Sequence, residues 1–286
     1  WAKAGLEDRR LPMAYLSVSL LLLAATVLLS EVTRRTATRL LAGKDYAVYV
    51  VEIISTFQLC ACTHELKLVG EVGRVEPQIG LTLTYLITVV HVLTFHGAFC
   101  NPSGALEQFY RGNLTEKSVV ARIACQFLAA SIARLLLPHI WSLGLSDWHL
   151  QHELSGFQCG SPIRDTLLKA AGVELCCAFV MQSTVTHLHK LDGKYHIHVI
   201  AAVITLLVYA GGHVSGAVFN PALAFSTCFH CSGNTLMEYA FVYWLGPVLG
   251  TASSVLLFDK VIPLLHGNGG TQKMMEFPRT QTKKIQ

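Results

Sequence analysis

His96-Gly97-Ala98-Phe99-Cys100-Asn101-Pro102 and Ser215-Gly216-Ala217-Val218-Phe219-Asn220-Pro221 share the frame x-Gly-Ala-x-x-Asn-Pro, and their Asn residues lie 119 positions apart. Each Asn-Pro opens a short apolar stretch, Pro102 to Tyr110 in one case and Pro221 to His230 in the other. Neither stretch can cross a bilayer, which takes about 20 apolar residues. Asn is a strong N-cap because its side-chain oxygen accepts from an early backbone N–H. Pro is tolerated at the first helical position, where its missing N–H costs nothing. Each box therefore predicts a half-helix.

The repetition extends upstream. Glu52 precedes Asn101 by 49 residues and Glu174 precedes Asn220 by 46, each as an acid inside an apolar run. The unit "helix with Glu, helix, Asn-Pro half-helix, helix" is thus stated twice. Its long runs are Tyr46 to Val69, Ile79 to Phe95 and Val119 to Leu145, then Thr166 to Leu188, Ile197 to Gly212 and Ala240 to Leu265. Leu11 to Ser30 stands outside the repeat as an added helix. The chain divides accordingly into an N-terminal hydrophobic helix with basic linker (1–44), a first repeat (45–145), an extramembrane linker (146–163), a second repeat (164–265) and a cytoplasmic tail (266–286).

Composition points the same way. Hydrophobic residues make up 52% and charged residues 14%, against about 25% charged in soluble domains. Mean hydropathy is +0.46. So few charges cannot cover a soluble surface, whereas a lipid-facing one needs none. The net charge of +4 is spread over short loops and the tail, which excludes a nucleic-acid partner.

Lys and Arg gather in cytoplasmic loops. Arg34, Arg35, Arg39 and Lys44 precede the first repeat helix, Arg111 and Lys117 follow the first box, Lys190 and Lys194 separate the fifth and sixth runs, and Lys260 and later basic residues close the chain. The alternate loops carry fewer. The first repeat therefore starts in the cytoplasm and the second outside, an inverted repeat. The added helix either spans, with its N-terminus outside, or lies along the interface.

Inverted threading brings the two half-helices in from opposite faces, with their N-termini meeting near the midplane. Irregular backbone at that depth is tolerated only when buried in protein or lining a wet cavity. Each N-terminus carries roughly half a positive charge. Two such ends with the amides of Asn101 and Asn220 make a donor-rich waist that repels cations and orients a passing oxygen. Glu52 and Glu174 are expected to accept hydrogen bonds from the irregular backbone before each box. No nucleophile or base accompanies them, so the chain is not read as an enzyme.

These residues resemble the aquaporins, over about residues 46 to 262. Asn220-Pro221-Ala222 matches that family's box, while Asn101-Pro102-Ser103 departs from it. Glu52-x-x-x-Thr56-x-x-Leu59 is similar to the family's first helix and Tyr243-Trp244-Leu245-Gly246-Pro247 to its last. The altered first box, Cys231 nine residues beyond Ala222, and the run Thr56 to Leu66 resemble the divergent superaquaporin branch. The resemblance implies an all-α membrane protein of six transmembrane helices with two re-entrant half-helices, plus the extra N-terminal helix. It also implies passage of water, glycerol and hydrogen peroxide, a homotetramer in membrane lipid, and neither cofactor nor metal. Residence in the endoplasmic reticulum membrane is implied, with the plasma membrane or other vesicles as alternatives. Ordinary members place an Arg directly after the second box. Here that place is Leu223, and counting without gaps puts the other narrowing positions at Leu81, Val208 and Ala217. The expected filter is wholly apolar and suits small neutral solutes.

Other features stay open on the sequence alone. Cys228-Phe229-His230-Cys231 has the spacing of a redox pair or metal site, though Cys231 is also readable as a structural or oligomer-contact residue. Gly246-x-x-x-Gly250 and Gly212-x-x-x-Gly216 predict close helix approach within the repeat. Lys283-Lys284 reads either as a retrieval signal or as a basic tail that sets orientation. The chain opens on Trp1 rather than Met, so residues upstream of it are expected. The rival functions are a weakly conducting or non-conducting membrane scaffold and a membrane thiol-redox protein.

Overall fold

The computed structural model describes residues 2–266, and seven of its helices are long and apolar enough to cross a membrane. In chain order the first elements are α1 (Ala2–Leu40), α2 (Ala47–Glu71), α3 (Pro77–Thr94) and the short α4 (Pro102–Tyr110). They are followed by α5 (Glu116–Trp141) and α6 (Asp147–Leu154). The second half comprises α7 (Leu167–His187), α8 (Gly193–Ser215) and the short α9 (Pro221–Thr227). The last crossing is built from α10 (Leu236–Ala240), α11 (Gly246–Leu256) and α12 (Ile262–His266), joined by π-helical turns. Local chemistry sets several starts. Thr115, Thr166 and Asp192 cap α5, α7 and α8 through their side-chain oxygens, and Thr235 and Glu238 form a reciprocal capping box on α10.

α1 corrects the sequence reading. Its helix does not end near Ser30 but continues to Leu40, so Arg34, Arg35 and Arg39 ride on its last turns instead of forming a linker. Arg34 is 1% exposed. It is tolerated there because its guanidinium donates to Glu31, to Ser55 Oγ at 2.8 Å and to Gln58 Oε1 at 2.8 Å. At the other end of α1, Tyr15 reaches Asp147 and packs on the ring of Trp148. α1 therefore lies lengthwise and antiparallel against α2. It covers the same thickness as α2 and does not lie across it.

The two repeats bury apolar surface in three clusters. One surrounds Cys60, Ala133 and Trp141, one surrounds Ala170, Phe229 and Tyr243, and a smaller one holds Cys177, Ala178, Ala217 and Phe219. Small residues decide how tightly the helices meet. A Cβ on Gly250 would stand 2.2 Å from the Leu175 carbonyl oxygen, and one on Gly246 3.0 Å from that of Ala171, so α11 rests directly on the backbone of α7. The other glycine pair acts differently from expectation. Gly216 is the C-cap of α8 at φ 86°, and the close approach to α7 is made by Gly211, where a Cβ would meet Val173 at 2.7 Å. One step along a helix turns a side chain by about 100°, so the packing face of α8 falls on Gly211 and not on Gly212.

The linker of 146–163 contains α6, which seats a buried polar network over α2. Glu65 accepts from Trp141 Nε1 at 2.8 Å and pairs with His149 Nε2 at 3.1 Å, while His149 Nδ1 meets Ser146 Oγ at 2.7 Å.

Gly250→Ala is expected to destabilise the protein by about 1–3 kcal/mol, because the backbone of Leu175 cannot move aside. Gly80→Ala, which faces open space, should be neutral or slightly stabilising. Thermal unfolding in detergent compares the two; equal midpoints would refute this account of the α7–α11 contact.

Candidate channel

Both boxes form N-capped half-helices. Asn101 is extended (φ −149°) and its Oδ1 accepts from the Ser103 N–H at 3.0 Å. Asn220 is extended (φ −144°) and its Oδ1 accepts from Ala222 and Leu223 at 3.1 and 3.3 Å. Pro102 and Pro221 occupy the first helical position in each.

The two tips touch. Asn101 Nδ2 donates to the Phe219 carbonyl at 3.3 Å, and Asn220 Nδ2 donates to the Cys100 carbonyl at 2.7 Å. Each Asn thus binds the residue just before the other's box. A side-chain amide carries two donor hydrogens, so each Asn retains one beyond this reciprocal pair.

The segments leading to the tips are bent. His96, Cys100, Ala217 and Phe219 all have positive φ, between 35° and 53°, a region that costs a residue with a Cβ about 1–2 kcal/mol. Two buried carboxylates hold these bends. Glu174, fully buried on α7, accepts from Val218 N–H at 3.1 Å, Phe219 N–H at 2.5 Å and Ser215 Oγ at 2.6 Å. Glu52, fully buried on α2, accepts from Cys100 N–H at 2.7 Å and Gln126 Nε2 at 2.9 Å. It also pairs with Arg122 at 2.6 Å. The sequence alone does not mark Arg122 and Gln126 as partners of Glu52. The one signal is Arg122 itself, a cation inside an apolar run whose burial needs an acid.

Cys231 is bonded to Cys159, 72 residues earlier, and not to Cys228. Cys228 stays a buried free thiol. The C-x-x-C redox reading therefore fails, because the second thiol already has a partner in the linker. His230 lies with these two sulfurs in a group whose ligand atoms all fall within 4.8 Å of one another, but sulfurs joined to each other offer no thiolate to a metal. Ser161 N–H to the Ser232 carbonyl and Ser232 N–H to the Cys159 carbonyl, at 2.8 and 2.9 Å, complete the tie. Disulfides persist on oxidising faces of membranes, the side to which loop charge assigns this linker. The signal for Cys159 in the sequence is that it is the sole cysteine of the 146–163 segment.

A family model described as Major intrinsic protein matches residues 71–258. The chain belongs to the major intrinsic protein family, the aquaporins. It is 40% identical to Aquaporin-11 of Homo sapiens over 250 residues, covering 87% of this chain and 92% of that protein. It is 37% identical to Aquaporin-12 of Mus musculus over 257 residues, covering 88% and 89%. These relatives place it in the superaquaporin branch. The solved aquaglyceroporin of Plasmodium falciparum shares its fold, with a TM-score of 0.56 at 16% identity over 76% of this chain and 98% of that one. The protein is accordingly an integral, multi-pass membrane channel for water or small solutes, from a family of transporters.

The four residues expected at the narrowing are placed unequally. Ala217 is buried in the cluster with Cys177, Ala178 and Phe219. Leu223 is half-buried against the cluster around Cys60 and Trp141, where Leu83 of α3 also packs. Leu81 and Val208 are half-buried on the adjacent helices α3 and α8, and neither joins the apolar clusters of the described residues.

Two measurements test this geometry. Glu174→Gln removes one acceptor from a pair of buried amides and should cost about 1–3 kcal/mol. Glu52→Gln leaves the half-buried Arg122 without its carboxylate and should cost more, up to about 3–5 kcal/mol, with part recovered in Glu52→Gln/Arg122→Gln. Equal losses in thermal unfolding, with no recovery, would remove the ion pair from the account. Separately, mass spectrometry of the non-reduced protein should give one linked peptide pair containing Cys159 and Cys231; a Cys228–Cys231 link would reverse the assignment.

Proposed function

We propose that each protomer passes water and small neutral solutes, glycerol and hydrogen peroxide among them, by passive flow past Asn101 and Asn220. The observation that carries this reading is the reciprocal contact of the two boxes. It sets two positive helix ends and the remaining amide hydrogens of both Asn residues at one level, where a solute oxygen can accept. Pro102, Ser103, Pro221 and Ala222 fix the helix ends that present them. The same positive ends, with the cost of stripping water from an ion, oppose cations.

Leu81, Val208, Ala217 and Leu223 form the narrowing. Leucine in the place of arginine brings neither charge nor fixed donors, so the constriction favours solutes of mixed polarity over ordered single-file water. The resemblance to Aquaporin-11 supports residence in the endoplasmic reticulum membrane, and family resemblance supports a homotetramer with a path in each subunit. Lys283-Lys284, read as a retrieval signal or as an orienting basic tail, lies outside the described residues. The altered first box and Leu223 also suit a second reading, a membrane scaffold with little flux.

Stopped-flow swelling and peroxide uptake in proteoliposomes decide between them. The channel reading expects flux above empty liposomes, falling to that baseline when Asn101 or Asn220 is replaced by Trp in protein that still unfolds cooperatively. Leu223→Arg should lower glycerol and peroxide flux more than water flux. Parent flux equal to empty liposomes would favour the scaffold, and an unchanged profile for Leu223→Arg would take Leu223 out of the path.

A further inference from the structure

On the Lys- and Arg-rich side of the protein, a cavity of about 610 Å³ opens between the last turns of α1, the start of α2 and the loop that leads into the first box. Its size falls within the range of ligand pockets, roughly 300–1,000 Å³. Four arginines, Arg34, Arg35, Arg39 and Arg122, and His96 line it. Two carboxylates answer them. Glu31 holds Arg34, Arg35 and His96, and Glu52 holds Arg122. An excess of two positive charges remains even with His96 neutral. Arg39 makes no ion pair among the described residues, and the buried Nε of Arg122 has no hydrogen-bond partner. A cavity lined by four guanidiniums and opposed by only two carboxylates suits an anion.

The rest of the lining says which anion. Guanidinium forks match the oxygens of a phosphate. Val48, Val51, Ala42 and Ala47 form an apolar wall beside the arginines, which a free inorganic ion would not use. The cavity lies at the end of the apolar span Met13–Leu40, where a headgroup would sit. Leu28, Leu29 and Val32 of α1, all more than 60% exposed, continue toward the bilayer interior. Anionic lipids concentrate in the cytoplasmic leaflet, and basic pockets between spans on that side take their headgroups. We infer that this cavity binds the phosphate of an anionic phospholipid, with the exposed guanidiniums of Arg35 and Arg39 as its donors and the Val48–Val51 wall against its glycerol and upper acyl chain. The bound headgroup also rests on Gly97 and Ala98, the approach to Asn101, so occupancy braces the loop of the first box. The site depends on how the chain sits in the bilayer and is independent of whether solute flows.

Native mass spectrometry and thermal unfolding of the full chain in detergent test it, with phosphatidylserine, phosphatidylinositol 4-phosphate, phosphatidylcholine, and inorganic phosphate as separate additions. Retention of the two anionic lipids and a higher unfolding midpoint are expected, with neither effect from phosphatidylcholine or inorganic phosphate. Arg35→Gln/Arg39→Gln, which alters exposed side chains, should weaken anionic-lipid binding roughly 30-fold, about 1 kcal/mol per charge removed. The Lys/Lys variant should keep most of it. Equal binding of phosphatidylcholine, no loss in the Gln/Gln variant, or an equal effect of inorganic phosphate would each overturn the proposal. In the unaltered chain, a photoactivatable phosphatidylserine should label residues between Arg34 and Val51; labelling confined to other helices would overturn it independently of any variant.

Discussion

Backbone amides inside a bilayer must find partners within the protein, because the hydrocarbon offers none. In this channel two buried carboxylates meet that demand. Glu52 and Glu174 take the amides that the chain exposes as it turns back at Cys100 and at Val218–Phe219. Without them the positive-φ bends would carry unanswered donors as well as steric cost, and the half-helix tips would have no fixed height. The reciprocal Asn contacts are available only because both tips are held first.

The two halves solve the same problem with different chemistry. Glu174 is balanced by neutral donors alone, whereas Glu52 also meets the full charge of Arg122. Arg122 in turn reaches over the Phe99 ring, 4.8 Å from its centre, and lines the basic cavity beside α1. Duplication supplied the scaffold. The first half also carries a chain of hydrogen bonds from the added helix to the end of α3, through Arg34, Ser55, Gln58 and Thr94, that the second half lacks among its described residues.

Much of this was legible in the sequence because repetition carries information that a single motif does not. The boxes, the paired acids and the alternation of loop charge all recur, and together they specify helices, threading and meeting point. What stayed hidden depends on contacts between residues far apart in the chain. Nothing local to Cys231 distinguishes a bond to Cys159 from one to Cys228. Arg34 reads as a loop cation until its hydrogen bonds to α2 are seen. The close approach on α8 shifts from Gly212 to Gly211 because the neighbouring helix sets the packing face. The partners of Glu65, His149 and Trp141, lie about 80 residues away on separate elements.

The bond between Cys159 and Cys231 closes a covalent ring around α7, α8 and α9. Tension applied along the chain, as when an extraction motor pulls on the C-terminus, passes through the sulfurs and bypasses everything inside the ring. The second box would thus be shielded from mechanical load while the first, outside the ring, would bear it. Under pulling, the half of the pore that ends in Asn101 should come apart before the half that ends in Asn220.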